Sequence, residues 1–180
     1  MLKTLIPLLS FSVCMLAQDN PLSSAIQAEY GIAKNTITRA ADKMPEENYG
    51  FKPTEDVRSF GQLVGHVADA QYGFCSGAVG EKSPATGSVE KTKTSKADLV
   101  QALKDAFAYC DKAYGGMTDA NAATAVKFFG QNTNRLGVLA FSNMHDYEHY
   151  GNMVTYMRLK NIVPPSSEPR PQQAPPQQKK

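Results

Sequence analysis

The sequence has little charge of either sign to spare. Its 19 basic and 17 acidic residues leave a formal charge of +2 in 180 residues. No segment carries the basic stripe that a nucleic-acid-binding face needs, so nucleic acid is not expected as a partner. Long apolar runs are also scarce. The one at residues 5–16 is broken by Pro7, Ser10 and Ser12. It falls short of the roughly 20 residues that a bilayer span requires. No second run is long enough either, so no membrane span is expected. Cysteine and histidine are rare, with three of each.

The two ends read as segments outside the fold. Met1-Leu2-Lys3 gives a short basic start, and the apolar run stops at Ala17-Gln18-Asp19. That is the pattern of a signal peptide, expected to span residues 1–17 and to direct the protein to the periplasm or outside the cell. Cys14 raises a lipoprotein alternative, but Phe11-Ser12-Val13 is a poor lipobox. From Pro164 the run PPSSEPRPQQAPPQQKK lacks any large apolar residue. Such a Pro/Gln-rich segment cannot bury enough surface to offset its ordering entropy, so residues 164–180 are expected to form a disordered tail. Removal of the leader leaves Cys75 and Cys110. An oxidising compartment permits a disulfide between them, and two buried thiols are the alternative.

Between the ends, residues 18–163 show helical periodicity. Asn20-Pro21 marks a first helix start, followed by Leu22, Ile26, Ala33 and Ile37 at helical spacing, with Met44-Pro45 as its end. Ser59 and Gln62 form a capping-box pattern ahead of a second helix to about Val79. Residues 80–94 read as an exposed loop. Ser95 and Asp98 open a third helix that ends at Gly115-Gly116. In residues 118–130 a short turn at Asp119 and an extended piece at 125–129 are both compatible with the pattern. The fourth helix is expected from about Thr133 to Lys160, with Leu136, Leu139, Ala140, Met144, Met153, Val154 and Met157 as its apolar positions. Four amphipathic helices with moderate loops argue for an all-α four-helix bundle.

His145 and His149 stand i, i+4 on the fourth helix, which puts both imidazoles on one face. His66 lies among the inward positions of the second helix. A lone histidine on an apolar face is usually a hydrogen-bonded core residue. A pair one turn apart is harder to explain by packing, and bundle cores do hold metals on inward side chains. The HExxH motif of zinc proteases is a poor match, because Asp146 stands where its glutamate belongs.

The stretches SFGQLVGHVADAQYGFC, around His66, and HDYEHYGNMVTYMR, around the pair, resemble the DinB/YfiT-like superfamily. Members pair a histidine in the second helix with HxxxH in the last. YGFKPTEDVRSFGQL is similar to that family's entry into its second helix. The resemblance runs from Pro21 to Pro165. It implies an up-down-down-up four-helix bundle and a divalent-metal site made by His66, His145 and His149. Tyr150-Gly151-Asn152 departs from the family's Arg-Gly-Gln-like triplet, so any role of that arginine does not carry over.

Three imidazoles leave a coordination position for water or an unidentified small molecule. Zinc suits such a site best, and nickel and iron also accept imidazole. Asp69 and Glu148 are candidates to hold the outer ring nitrogens; solvated charges are the plainer reading of both. Tyr72 and Tyr147 are candidates to line a pocket. The resemblance implies a metal-dependent thiol transferase, and an open metal site also suits a hydrolase. The alternative is a non-catalytic metal-binding or stress-related periplasmic module, as a homodimer.

Overall fold

The computed structural model describes residues 20–169. The expected leader, Cys14 included, and residues 170–180 lie outside them. The elements in chain order are α1 (Pro21–Lys43), α2 (Phe60–Val79), α3 (Val89–Thr92), α4 (Lys96–Gly115), α5 (Asp119–Ala122), β1 (Ala125–Phe128), β2 (Gln131–Asn134) and α6 (Arg135–Leu159). None of these helices is long and apolar enough to cross a membrane.

Caps set the helix starts. Ser59 Oγ accepts from the Gln62 amide, and the Gln62 side chain accepts from the Ser59 amide. Each satisfies an amide that the first helical turn leaves without a partner. Ser95 caps α4 by accepting from the Asp98 amide, without the reciprocal bond. The cap of α1 differs from expectation. Asn20 makes no side-chain bond to that helix; the Asp119 carboxylate accepts from the Leu22 and Ser23 amides instead. Asn20 Oδ1 in turn accepts from the Asp119 amide at 2.8 Å. The chain's distant α5 turn thus closes the start of α1.

Side-chain bonds fix the helix directions. Ser23 meets Asp119 and Asp42 meets Lys104, so α1 and α4 are antiparallel. Cys75 pairs with Cys110, and Gly61 lies against Leu99, so α2 and α4 are parallel. Gln71 meets Asp146 and Arg58 meets Tyr156, so α6 runs against α2. Asn143 donates to the Ile26 carbonyl and Tyr147 to that of Glu29, so α6 runs with α1. The result is an up-down-down-up bundle with α1 and α2 on one diagonal.

The apolar stripes meet in one core, in which Ile37, Phe60, Val64, Leu103, Phe107, Met153 and Met157 are all sealed from solvent. Two residues of the apolar patterns stay outside it: Leu22 and Met144 are 58% and 62% exposed. The fourth helix also begins later than expected. Thr133 pairs with Val126 in an antiparallel hairpin, and Asn134 caps α6 by accepting from the Gly137 amide. The loop at 80–94 contains the single-turn α3. Residues 164–169, placed in the tail by composition, pack on the bundle: Pro165 is buried, Ser166 donates its amide to the Tyr150 hydroxyl, and Glu168 pairs with Arg39 and Lys43. Tyr150 therefore anchors the segment that follows α6.

The Cys75–Cys110 pair is a disulfide, with Cα atoms 5.4 Å apart and both residues fully buried. It ties two parallel helices across a separation of 35 residues. A loop of that length, closed in the unfolded chain, stabilises the fold by roughly 3–4 kcal/mol. The Cys75→Ala/Cys110→Ala double variant is therefore expected to lose about that much in chemical denaturation. Unchanged stability would contradict a structural role for the bond.

Candidate metal centre

Helix α2 delivers His66 and α6 delivers His145 and His149 to one seam. His145 Nε2 lies 3.2 Å from His66 Nε2 and 3.0 Å from His149 Nε2. The ligand atoms of all three lie within 4.8 Å of one another, close enough to hold one metal ion. Nitrogens bound to one tetrahedral zinc at 2.0–2.1 Å would sit about 3.3 Å apart, so the observed spacing suits the ion.

The outer ring nitrogens differ in their support. His66 Nδ1 faces Glu90 Oε2 at 3.3 Å. The Asn152 amide lies 3.4 Å from His149 Nδ1. His145 Nδ1 is buried without a partner among the described residues. A carboxylate on Nδ1 keeps the proton there and leaves Nε2 as a lone pair, the form a metal requires.

Glu90 was not legible in the sequence, and neither was its support. Arg58 Nε donates to its other oxygen at 2.9 Å. Asp69 accepts from the Ser88 hydroxyl and from the Val89 and Glu90 amides, at 2.7, 2.6 and 3.1 Å. Asp69 thus meets no histidine; it holds the α3 turn that carries Glu90. Gly65 makes the approach feasible, because a Cβ there would stand 2.7 Å from Glu90 Cα. The available signal was the pair Gly65-His66 in a helix, where a glycine costs stability unless something must come close. Glu148 is exposed and bonds to none of the three. Tyr72 rests against Tyr109, and Tyr147 reaches Glu29; neither lines the cavities described next.

Two cavities border the histidine cluster. One, of about 540 Å³, is bordered by His149 together with Lys52, Arg58, Glu90, Glu148 and Asn152. The other, of about 450 Å³, is bordered by His66, His145 and four phenylalanines. Asp146, the residue at the HExxH glutamate position, reaches neither. It is fully buried, takes a 2.6 Å bond from Gln71, and burial pushes its carboxyl well above the usual range. It is a core acid held by Gln71 and not a base at the site.

Burial lowers all three histidines. His145 is pushed down to about 3 by desolvation and by its two neighbours, and His149 to about 4 by desolvation and His66. His66 falls through burial and the charge of Arg58, against the opposing pull of Glu90. All three are neutral, ligand-competent imidazoles at pH 7.

With these geometries in view, residues 31–153 match the DinB superfamily family model, and the chain belongs to that superfamily. No curated protein matches the sequence. Among solved structures, the chain is similar to a DinB-like protein from Bacillus cereus ATCC 10987, with TM-score 0.70, 17% identity and coverage of 79% of this chain and 95% of that one. It is similar to a second, from Bacillus subtilis, with TM-score 0.66, 22% identity and coverage of 82% and 99%. It also shares its fold with a variant of a mycothiol-dependent maleylpyruvate isomerase, at TM-score 0.60 and 12% identity over 73% of this chain and 60% of that one.

The lowered pKa values carry a consequence for stability. Below pH 6.5 the unfolded chain takes up protons at these positions before the folded one does, so acid favours unfolding. Chelator-treated protein is expected to lose stability progressively from about pH 6.5 toward pH 4, and less steeply as His145→Gln. Denaturation midpoints across that range check this; a flat profile that His145→Gln leaves unchanged would contradict it.

Proposed function

We propose that His66, His145 and His149 bind one divalent metal, zinc foremost, and that the protein is an exported enzyme that transfers a group to a thiol or to water. The observation that carries the reading is the pair of cavities that open onto the histidines from two sides. A purely structural metal site is closed by protein ligands, whereas a catalytic one keeps a position free. Bound there, such a metal supplies the positive charge that favours the deprotonated form of a thiol or water.

The chain's own residues fit that role. Glu90 orients His66 and, with Arg58, makes the rim of the polar cavity. Arg58 offers a fixed positive charge to an anionic group or a thiol-bearing cosubstrate entering from that side. The mycothiol dependence of the structurally similar isomerase supports the thiol arm of the proposal. The buried disulfide supports export, since such bonds persist in oxidising compartments.

Competition titration against a chelator tests the site. The wild type is expected to hold one zinc ion per chain, His66→Ala and His149→Ala to lose it, and Glu90→Ala to bind about 10–100-fold more weakly. Equal metal content in wild type and both histidine variants would sink the assignment. Titrating cobalt-substituted protein with a small thiol tests the free position. A new thiolate-to-cobalt absorption band is expected; an unresponsive spectrum would favour a non-catalytic metal-binding module.

A further inference from the structure

The cavity on the His66 and His145 side differs in chemistry from its neighbour. Phe74, Phe128, Phe129 and Phe141 stand around it, and Phe74 packs edge-on against both Phe141 and His145, at 5.5 and 5.0 Å between ring centres. The charged residue on its wall, among those described, is Asp69, and all of its bonding goes to residues 88–90. No charged group of this wall is left to meet a ligand. An ionised group placed there would lose its hydration without compensation.

The hairpin supplies the second observation. Phe128 pairs with Gln131, so Phe129 and Gly130 form a two-residue turn with φ of 48° and 75°. Turns of this kind favour Asn or Gly, because both central residues are left-handed. A phenylalanine there is strained, and this one is also 76% exposed. Its ring touches Phe128, Phe74 and Phe141 along one edge and leaves the rest of its surface to solvent. Backbone strain of this sort concentrates where function needs a side chain held in place. Phe128, behind it, seats on α2 at Gly77, where a Cβ would stand 3.0 Å from its ring. The hairpin is thus fitted closely to α2 and carries its exposed ring to the cavity mouth.

We propose that this cavity takes the non-reacting body of the substrate, and that this body is neutral and aromatic. Its volume of about 450 Å³ suits a small molecule. Rings on several sides favour a flat apolar guest in edge-to-face contact. The polar, reacting end of the same molecule lies over His66 and His145, which belong to both the cavity wall and the cluster of three. The charged cavity on the other side is left for the thiol or water. This inference rests on the metal reading above and adds the substrate class.

Two hydroxamic acids test it on the zinc-loaded protein. Benzohydroxamate and acetohydroxamate present the same metal-binding group and differ in phenyl against methyl. Calorimetry is expected to show the phenyl compound binding about tenfold tighter or better. Two variants remove the pocket without endangering the fold. Phe129→Gly deletes the ring and relieves the positive φ. Gly73→Leu fills the cavity from α2, where a Cβ meets nothing within 4 Å. Each is expected to reduce the preference to within about threefold, with zinc content and acetohydroxamate affinity retained. Zinc-bound wild type that binds the two alike, or a preference that survives both variants, would overturn this inference alone. Protein that holds no zinc would overturn the metal reading and this one with it. A dimer that Phe129→Gly converts to monomer would give the patch to a second copy and likewise overturn it.

Discussion

The ring nitrogens of His66 and His149 both face His145 Nε2 at hydrogen-bond distance, and at most one proton on that atom can serve the two of them. A neutral imidazole has one donor and one acceptor. The carboxylate of Glu90 on His66 Nδ1 draws that ring's proton outward and leaves a lone pair aimed at His145 Nε2. His149 Nε2 approaches the same atom. Burial withholds the protons that could relieve the crowding, since it holds His145 and His149 far below their ordinary range. A cation among the three relieves it directly. The rest of the structure serves to hold these rings in that arrangement.

The bundle does so by fixing α2 from both flanks. The disulfide and the Leu99 contact fix α2 against α4 in parallel register. The buried Gln71–Asp146 bond fixes it against α6, one turn from the histidines. The α3 turn is drawn onto α2 by Asp69 and admitted by Gly65, which brings Glu90 to the outer face of His66. The hairpin closes the opposite side with its phenylalanines. Each of these parts is too short or too irregular to stand alone, and each is held by a specific contact with α2 or α6.

The legible part of this design was the regular part. The capping box at Ser59, the serine cap at Ser95 and the 3.6-residue periodicity marked α2 and α4 to within a residue, because those signals are local. The i, i+4 spacing of His145 and His149 was equally local. His66 joined them through motif order, since no single-helix argument reaches across a bundle. Glu90 lay hidden in a polar loop with no periodicity, and its role depends on where α3 docks. Asp69 was noticed as a partner for the site, yet it acts through the backbone of residues 88–90. The Cys75–Cys110 bond depended on α2 and α4 being parallel, which follows from topology. Thr133 and Asn134, the second half of β2, were read as helix because that strand's four polar residues carry no alternation, and composition hid the docking of residues 164–169 through Pro165 and Glu168.

Everything above turns on whether the three imidazoles bind one metal together and leave room for another ligand. X-ray absorption on the zinc-loaded protein addresses it directly, because multiple scattering from imidazole rings reports their number. Three imidazole nitrogens at about 2.0–2.1 Å and at least one further light-atom ligand that is not histidine are expected. Fewer than three imidazoles, or sulfur from the protein in the coordination sphere, would contradict it.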